Sequence, residues 1–327
     1  MAEQTPSPRS GSPSKYYFDG ALRGEGRGEG QSGAPSPDTA PLPTSLRSAT
    51  LSPEGERETA RAALTAAAAR FTFSQTPRLD AELILAHTLG IPRERLLLTL
   101  ADQPVPPDFA ALVERRAQHE PVAYITGTRA FWTIDVEVAP GVLIPRADSE
   151  TLIEAAVDHF AGTPGPRAIL DLGTGSGALL LAALDQWPDA TGVGIDASPA
   201  ALAIAARNAE RIAPGRATAS AGGWKGTGRR FDLVLCNPPY VSIDAEIPPE
   251  VSAFEPASAL FAGPDGLDDY HRIAPLLGAQ LAPGGVACIE IGSDQRDAAS
   301  AIFAAAGLTV AVRQDLAGLD RCLIVTS

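Results

Sequence analysis

The sequence predicts an α/β fold: a mostly parallel sheet with helices on both faces, preceded by a small helical domain. Three observations predict it. From Ala168 onward, short apolar runs alternate with helix-length segments, as strands joined by helical crossovers do. From Glu54 to Glu120 the apolar periodicity is helical. Between these regions apolar and polar residues alternate one for one, which is a strand signal.

Residues 1–53 are rich in Ser, Pro and Gly and poor in large apolar residues. They cannot bury enough surface to offset their ordering entropy, so they read as a disordered tail. Glu25, Glu29 and Asp38 argue against an organelle transit peptide, which is poor in acids. Ser52 before Pro53 is an expected helix start, leading into an alanine-rich helix over 54–70. A second helix starts at Pro77, carries Leu79, Leu83, Ile84 and His87 on one stripe, and stops at Gly90. Segments 96–100 and 107–118 read as further helical pieces, which completes a small helical domain over 54–120. Over 121–147, Tyr124, Ile125, Phe131, Trp132, Ile134, Val136 and Val138 favour strands, so this stretch reads as a β-hairpin linker. A helix over 148–160 opens the third unit, 148–327. Its strands are Ala168–Leu172, 192–196, Phe231–Cys236 and 286–291; its helices are 177–186, 199–211, 274–281 and 294–306. The last two strands, 308–313 and 321–326, are too close for a helical crossover and should pair antiparallel.

The chain has 327 residues, room for one large domain and a smaller one. Its net charge of −13 is opposite to that of proteins that hold nucleic acid by its phosphates. Cys236, Cys288 and Cys322 sit in separate apolar runs and read as buried thiols. The four histidines are scattered, so no metal site is expected. No run is long and apolar enough for a membrane span, and no secretory signal is recognisable, so the expected location is the cytoplasm.

The first sheet strand runs into Asp171-Leu172-Gly173-Thr174-Gly175-Ser176-Gly177 and then a helix. Glycines there let the backbone approach a ligand at the helix N-terminus. Gly173, Gly175 and Ala178 also satisfy a relaxed dinucleotide fingerprint, so a nicotinamide enzyme is a competing reading. The second strand ends at Asp196, whose carboxylate can accept both ribose hydroxyls of a nucleoside cofactor. Its alternative role is to cap the next helix, a task Ser198 could take instead. Asp171 would repel a pyrophosphate but suit a sulfonium and an α-ammonium, which favours S-adenosyl-L-methionine. Trp224 could cover an adenine face or belong to the core.

Asn237-Pro238-Pro239-Tyr240 follows the apolar strand Phe231–Cys236, at the carboxyl end of a sheet strand, where open α/β folds bind ligands. Methyl transfer to a planar NH₂ needs the nitrogen lone pair turned toward the methyl group. The Asn237 side-chain carbonyl and the Pro238 main-chain carbonyl can accept its two hydrogens. The prolines fix φ and bring no competing N–H, and Tyr240 can pack against the substrate plane. Positioning and desolvation then supply the rate, with no strong base required.

With these residues in hand, the chain resembles the HemK/PrmC family of release factor-specific protein-(glutamine-N5) methyltransferases, from about Thr59 to Leu323. Arg78-Leu79-Asp80-Ala81-Glu82 resembles the family's second helix. The run from Glu120 to Gly127, with Phe131-Trp132, resembles its hairpin, and the run from Leu143 to Glu150 its interdomain signature. Phe254-Glu255-Pro256 and the following Gly263 to Leu267 resemble the segment after its acceptor motif. The resemblance implies a Rossmann-like class I S-adenosylmethionine-dependent methyltransferase whose helical domain over 54–120 helps dock the protein substrate. It assigns the Gly173, Thr174, Gly175, Ser176 and Gly177 loop to the methionine part of the cofactor, Asp196 to the ribose and Trp224 to the adenine. It assigns Asn237, Pro238, Pro239 and Tyr240 to the glutamine of the Gly-Gly-Gln motif in class 1 peptide-chain release factors. The chain departs from the family at Ala147, usually proline, at Ser149 and Ser176, usually threonine, and at Gly223, usually acidic.

An adenine-N6 nucleic-acid methyltransferase shares the acceptor motif but should carry a basic surface. A non-catalytic adenosylmethionine-binding protein would not need an intact Asn237 with both prolines. A nicotinamide oxidoreductase leaves the acceptor motif unexplained.

Overall fold

A computed structural model describes residues 59–327. The tail and the Ser52–Pro53 helix start lie outside the described residues. The first helix, α1 (Ala60–Arg70), begins at Thr59, whose side chain accepts a hydrogen bond from Ala62 N. Helix α2 (Pro77–Leu89) ends at Gly90 in the left-handed conformation that the glycine predicts. Helices α3 (Arg93–Leu98) and α4 (Phe109–Ala117) follow. Leu64, Phe71, Ile84, Leu85 and Leu96 close a core that belongs to this helical unit.

The stretch expected to be strand from Pro121 begins instead as a short helix, α5 (Val122–Thr126). One helical turn lets Ile125 enter the helical core while Tyr124 enters the core under the sheet. Burial in two directions outweighs the β preference of these side chains. The antiparallel hairpin then forms as expected, from β1 (Thr128–Phe131) and β2 (Ile134–Glu137).

Helix α6 (Glu150–His159) leads into a seven-stranded sheet. Its strands are β3 (Ala168–Leu172), β4 (Thr191–Asp196), β5 (Ala217–Ala221), β6 (Phe231–Cys236), β7 (Leu281–Glu290), β8 (Thr309–Gln314) and β9 (Asp320–Thr326). The spatial order is β5-β4-β3-β6-β7-β9-β8. Strands β5 to β7 run parallel, while β9 is antiparallel to both β7 and β8. The crossover helices are α7 (Ala178–Gln186), α8 (Pro199–Ile212), α9 (Pro249–Phe254), α10 (Asp268–Leu277) and α11 (Arg296–Ala305). Strand alternation divides the apolar side chains between two cores. Ile169, Leu233 and Leu235 pack with α6 and α7, whereas Leu170, Leu172 and Val234 pack with α10 and α11.

Beyond α5, other elements differ from expectation. Strand β5 and helix α9 were not expected, and helix α10 begins at Asp268 rather than near Ala274, carrying Pro275 inside. Strand β7 begins at Leu281, within the segment expected to end a helix. The chain winds outward from β3 to β5, then returns to β6 on the other side of β3. The ends of β3 and β6 therefore flank a topological switch point, where such sheets open a ligand crevice.

Candidate cofactor and acceptor site

A cavity of about 310 Å³ lies at that switch point. One wall is the loop after β3. Gly173, Gly175 and Gly177 hold φ of +71°, +56° and +86°, conformations that favour glycine. The Gly173 and Thr174 N–H groups donate to Ile195 O at the end of β4. Gly175 N donates to Asp196 Oδ2 at 2.9 Å, and Ser198 N to Asp196 Oδ1 at 2.8 Å. Each carboxylate oxygen keeps a further lone pair for a ligand. Ser198 Oγ caps α8 by accepting from Ala201 N, so that task falls to Ser198 rather than Asp196.

Asp171 is placed differently from the sequence reading. It shares a sheet face with Ile169, beneath the first turn of α7, and does not line the cavity. Its Oδ2 accepts from Thr174 Oγ1 at 2.6 Å and from Leu180 N, while Oδ1 is buried without a hydrogen-bond partner. Burial pushes its pKa up to about 7, against those two hydrogen bonds and with a small contribution from Asp196. Asp171 thus holds the loop from below instead of facing the ligand. Gly177 packs α7 against α8, where a Cβ would meet Leu181 at 3.2 Å and Ala205 at 3.7 Å. Ser176 does line the cavity.

Trp224 covers the cavity over Gly173, where an added Cβ would meet the indole at 3.4 Å. Its Nε1 donates to Asp269 Oδ1 at 3.0 Å, which fixes the ring. Gly223 lines the cavity beside it, and a Cβ there would meet nothing within 4 Å.

The acceptor motif closes the other side. Asn237 and Pro239 line the cavity; Pro238 and Tyr240 do not. Asn237 Nδ2 donates to Ser149 Oγ at 3.2 Å, which leaves its carbonyl oxygen as the atom able to accept from a ligand. Tyr240 turns its hydroxyl to Glu290 Oε1 at 3.0 Å, and its main-chain oxygen accepts from Gln295 Nε2. The expected stacking of Tyr240 on the substrate therefore gives way to an inward anchoring of the motif. Burial and the neighbouring Glu290 raise the Tyr240 hydroxyl well above its ordinary pKa, so it stays a donor.

Glu290, Ser149 and Glu255 were not predicted as site residues. Glu290 is 1% exposed; burial raises its pKa, and Ser149, Arg321 and Tyr240 act against that rise. A charged residue inside the apolar run Ile289-Glu290-Ile291 is the signal that could have found it. Glu255 accepts from Ile144 N at 3.0 Å and pairs with Arg146, which fastens the interdomain segment to the stretch after the acceptor motif. Among the described residues no His, Cys, Asp or Glu cluster is arranged to hold a metal, and no helix is long and apolar enough to cross a membrane.

A glycine loop with a strand-end carboxylate on one side, an Asn-Pro-Pro-Tyr turn on the other, and this strand order together define a Rossmann-like methyltransferase. Residues 62–127 match the family described as PrmC N-terminal domain, and residues 148–253 the Methyltransferase small domain. The chain is 42% identical over 259 residues to the Release factor glutamine methyltransferase of Rhodospirillum rubrum, covering 76% of this chain and 79% of the relative. It is 43% identical over 258 residues to that of Xylella fastidiosa, covering 76% and 92%. A solved protein-(glutamine-N5) methyltransferase (release factor-specific) from Alicyclobacillus acidocaldarius is 28% identical, covering 58% of this chain and 97% of that one, with a TM-score of 0.36. The chain belongs to the release factor glutamine methyltransferase family.

Proposed function

We propose that this chain transfers a methyl group from S-adenosyl-L-methionine to the side-chain amide nitrogen of the glutamine in the Gly-Gly-Gln motif of class 1 release factors. The observation that carries the reading is the state of Asn237. Its NH₂ is committed to Ser149, so it offers a carbonyl oxygen, the group needed to orient a substrate NH₂.

The cavity fits the cofactor. Gly173 keeps clear the space beneath Trp224, and Asp196 retains lone pairs for two hydroxyls. Trp224 offers an aromatic face for adenine, and the left-handed loop 173–177 brings backbone close to the methionine part. When bound, the cofactor supplies an electrophilic methyl group on a sulfonium. The protein's part is to position the amide. Asn237 Oδ1 takes one amide hydrogen and helps turn the nitrogen lone pair toward the methyl group, while Pro238, which does not line the cavity, fixes the turn that presents Asn237. Pro239 and Phe131 exclude water from that side of the cavity. A methylated amide is acidic enough to lose its proton to water, so no residue need act as a strong base.

The division into a helical substrate-docking unit (54–120), a linker (121–147) and a methyltransferase unit (148–327) belongs to the same proposal, with α5 extending the helical unit to Thr126. Action on release factors supports the cytoplasm as the expected location within the same proposal. Purified protein with methyl-labelled cofactor should label a release factor at its Gly-Gly-Gln glutamine and leave the Gln→Ala factor unlabelled. Label on duplex DNA, with none on the factor, would sink the reading in favour of adenine.

A further inference from the structure

Asn208 lies in α8, fully buried, and does not line the cavity. Its side-chain amide nevertheless spends its whole hydrogen-bonding capacity. Oδ1 accepts from Glu137 N at 2.8 Å and from Arg211 Nη2 at 3.1 Å. Nδ2 donates to Glu137 O and to Ser176 O, each at 2.9 Å. A main-chain N–H only donates and a main-chain carbonyl only accepts, so one orientation of the amide alone satisfies these partners. Glu137 belongs to β2, in the hairpin that joins the two units, and Ser176 to the glycine loop. One buried side chain therefore ties the hairpin to the loop.

The contacts divide into two jobs. The two bonds to Glu137 meet the edge of β2 as a neighbouring strand would. Arg207 and Arg211 reinforce that attachment: Arg207 pairs with the Glu137 carboxylate at 2.6 Å, and Arg211 donates to Asp135 O. Fastening the hairpin needs nothing more. The remaining bond goes to the loop. It holds the carbonyl of the Ser176–Gly177 peptide, whose N–H donates to Thr174 O at 2.7 Å. That peptide plane is thus held at both edges, at the left-handed Gly177 turn that starts α7. Ser176 lines the cavity, so fixing the plane fixes part of the cavity wall. We propose that Asn208 is a positioning residue of the cofactor site, which sets the Ser176 peptide for the ligand and couples the loop to the hairpin. The proposal rests on the reading of this cavity as a cofactor site.

Asn208→Asp separates the two jobs. A carboxylate only accepts, so it keeps Glu137 N and Arg211, both of which favour its charged form, and gives up the donor to Ser176. Arg207→Ala weakens the hairpin attachment and leaves the loop bond in place. With S-adenosyl-L-methionine titrated by calorimetry, Kd should rise on the order of tenfold for Asn208→Asp. For Arg207→Ala, an exposed ion pair, it should stay within about threefold. Amide hydrogen exchange reads the coupling. In wild type, saturating cofactor should slow exchange at Glu137 more than in β8, the sheet edge farthest from β5, which serves as the reference for overall stabilisation. In Asn208→Asp that excess should vanish. An unchanged Kd in Asn208→Asp, an equal rise in Arg207→Ala, or wild-type exchange at Glu137 slowed no more than in β8 would each overturn the proposal. If Asn208→Asp fails to fold, the exchange measurement on wild type decides. A wild-type chain that binds no cofactor overturns the cofactor reading itself, whereas the variants bear on Asn208 alone.

Discussion

On the proposed function Asn237 works by orientation, so its loss should appear in turnover and not in cofactor affinity. Asn237→Ala removes an acceptor aimed at the reacting nitrogen and should lower kcat by about 100-fold, with cofactor Kd changed less than about threefold. Asp196→Ala should do the reverse: its oxygens steady Gly175 and Ser198 and, on the same proposal, retain lone pairs for the ribose, so Kd should rise about 10- to 100-fold. Calorimetry and single-turnover labelling on both variants separate the two roles; equal loss of affinity in each would make Asn237 a cofactor residue. Asp171 makes a prediction of a different kind. Its pKa rises from 3.8 to about 7 on folding because it is buried beneath α7. Between those values the folded chain keeps a proton that the unfolded chain has released. Stability therefore falls as pH rises from about 4 to 7, by about 4 kcal/mol from this group. Asp171→Asn lacks this dependence. Urea denaturation at pH 5 and pH 8 should show the variant gaining about 2–3 kcal/mol on wild type between the two; an unchanged difference would mean that Asp171 titrates as an ordinary carboxyl.

Strand β4 shows how an element shapes the site without touching a ligand. Gly194 lies opposite Asp171 in the β3–β4 register, and a Cβ there would come within 2.6–2.9 Å of the Thr174 side chain. Gly194→Ala should lift Thr174 off Asp171, destabilise the protein by about 1–3 kcal/mol and weaken cofactor binding. Thermal melts with and without cofactor check this; a wild-type Kd would show that the loop height does not matter. The glycine loop, Asp196 and the acceptor turn were legible because each sits at the end of a long-range apolar strand that announces itself. Strand β5 was not, because Ala-Thr-Ala-Ser-Ala carries no large apolar side chain, and an edge strand with exposed alternate residues needs none. Tyr124 and Ile125 misled because β preference is a weak prior against burial in two cores. Helix α10 was placed too late, over 274–281, whereas Asp268 and Asp269 in its first turn mark its start. The inward turn of Tyr240 depended on Glu290, some 50 residues away, and only the β6–β7 pairing reveals it.

The whole molecule matters to the cavity because one wall is built from the segment that joins its two units. Val142, Leu143 and Pro145 line the cavity, together with Pro256, Ser258 and Ala259 of the segment after the acceptor turn. This linker is held from three directions. Tyr124 of α5 donates to Val142 O at 2.7 Å, Arg129 of β1 donates to Pro145 O, and Ile144 N donates to Glu255. Glu255 also pairs with Arg146, so one buried carboxylate ties the linker to the segment after the acceptor turn. A second tie lies farther out: Arg116 of α4, itself 4% exposed, bonds Asp80 of α2 and Glu250 of α9 at 2.8 and 2.9 Å. The two ties predict different outcomes. Glu255→Ala leaves the Ile144 N–H without its acceptor, which costs about 1–3 kcal/mol, and loosens the wall, so cofactor Kd should rise about tenfold. Glu255→Gln keeps an acceptor for Ile144 but loses the charge opposite Arg146, and should fall between. Glu250→Ala leaves Arg116 bonded to Asp80 and removes nothing from the wall, so Kd should stay within about threefold while stability drops by less than about 1 kcal/mol. Calorimetric Kd with thermal melts on the three variants distinguishes a wall from a mere strut. A Glu255→Ala protein that melts early yet binds cofactor normally would show that the cavity keeps its shape without the linker.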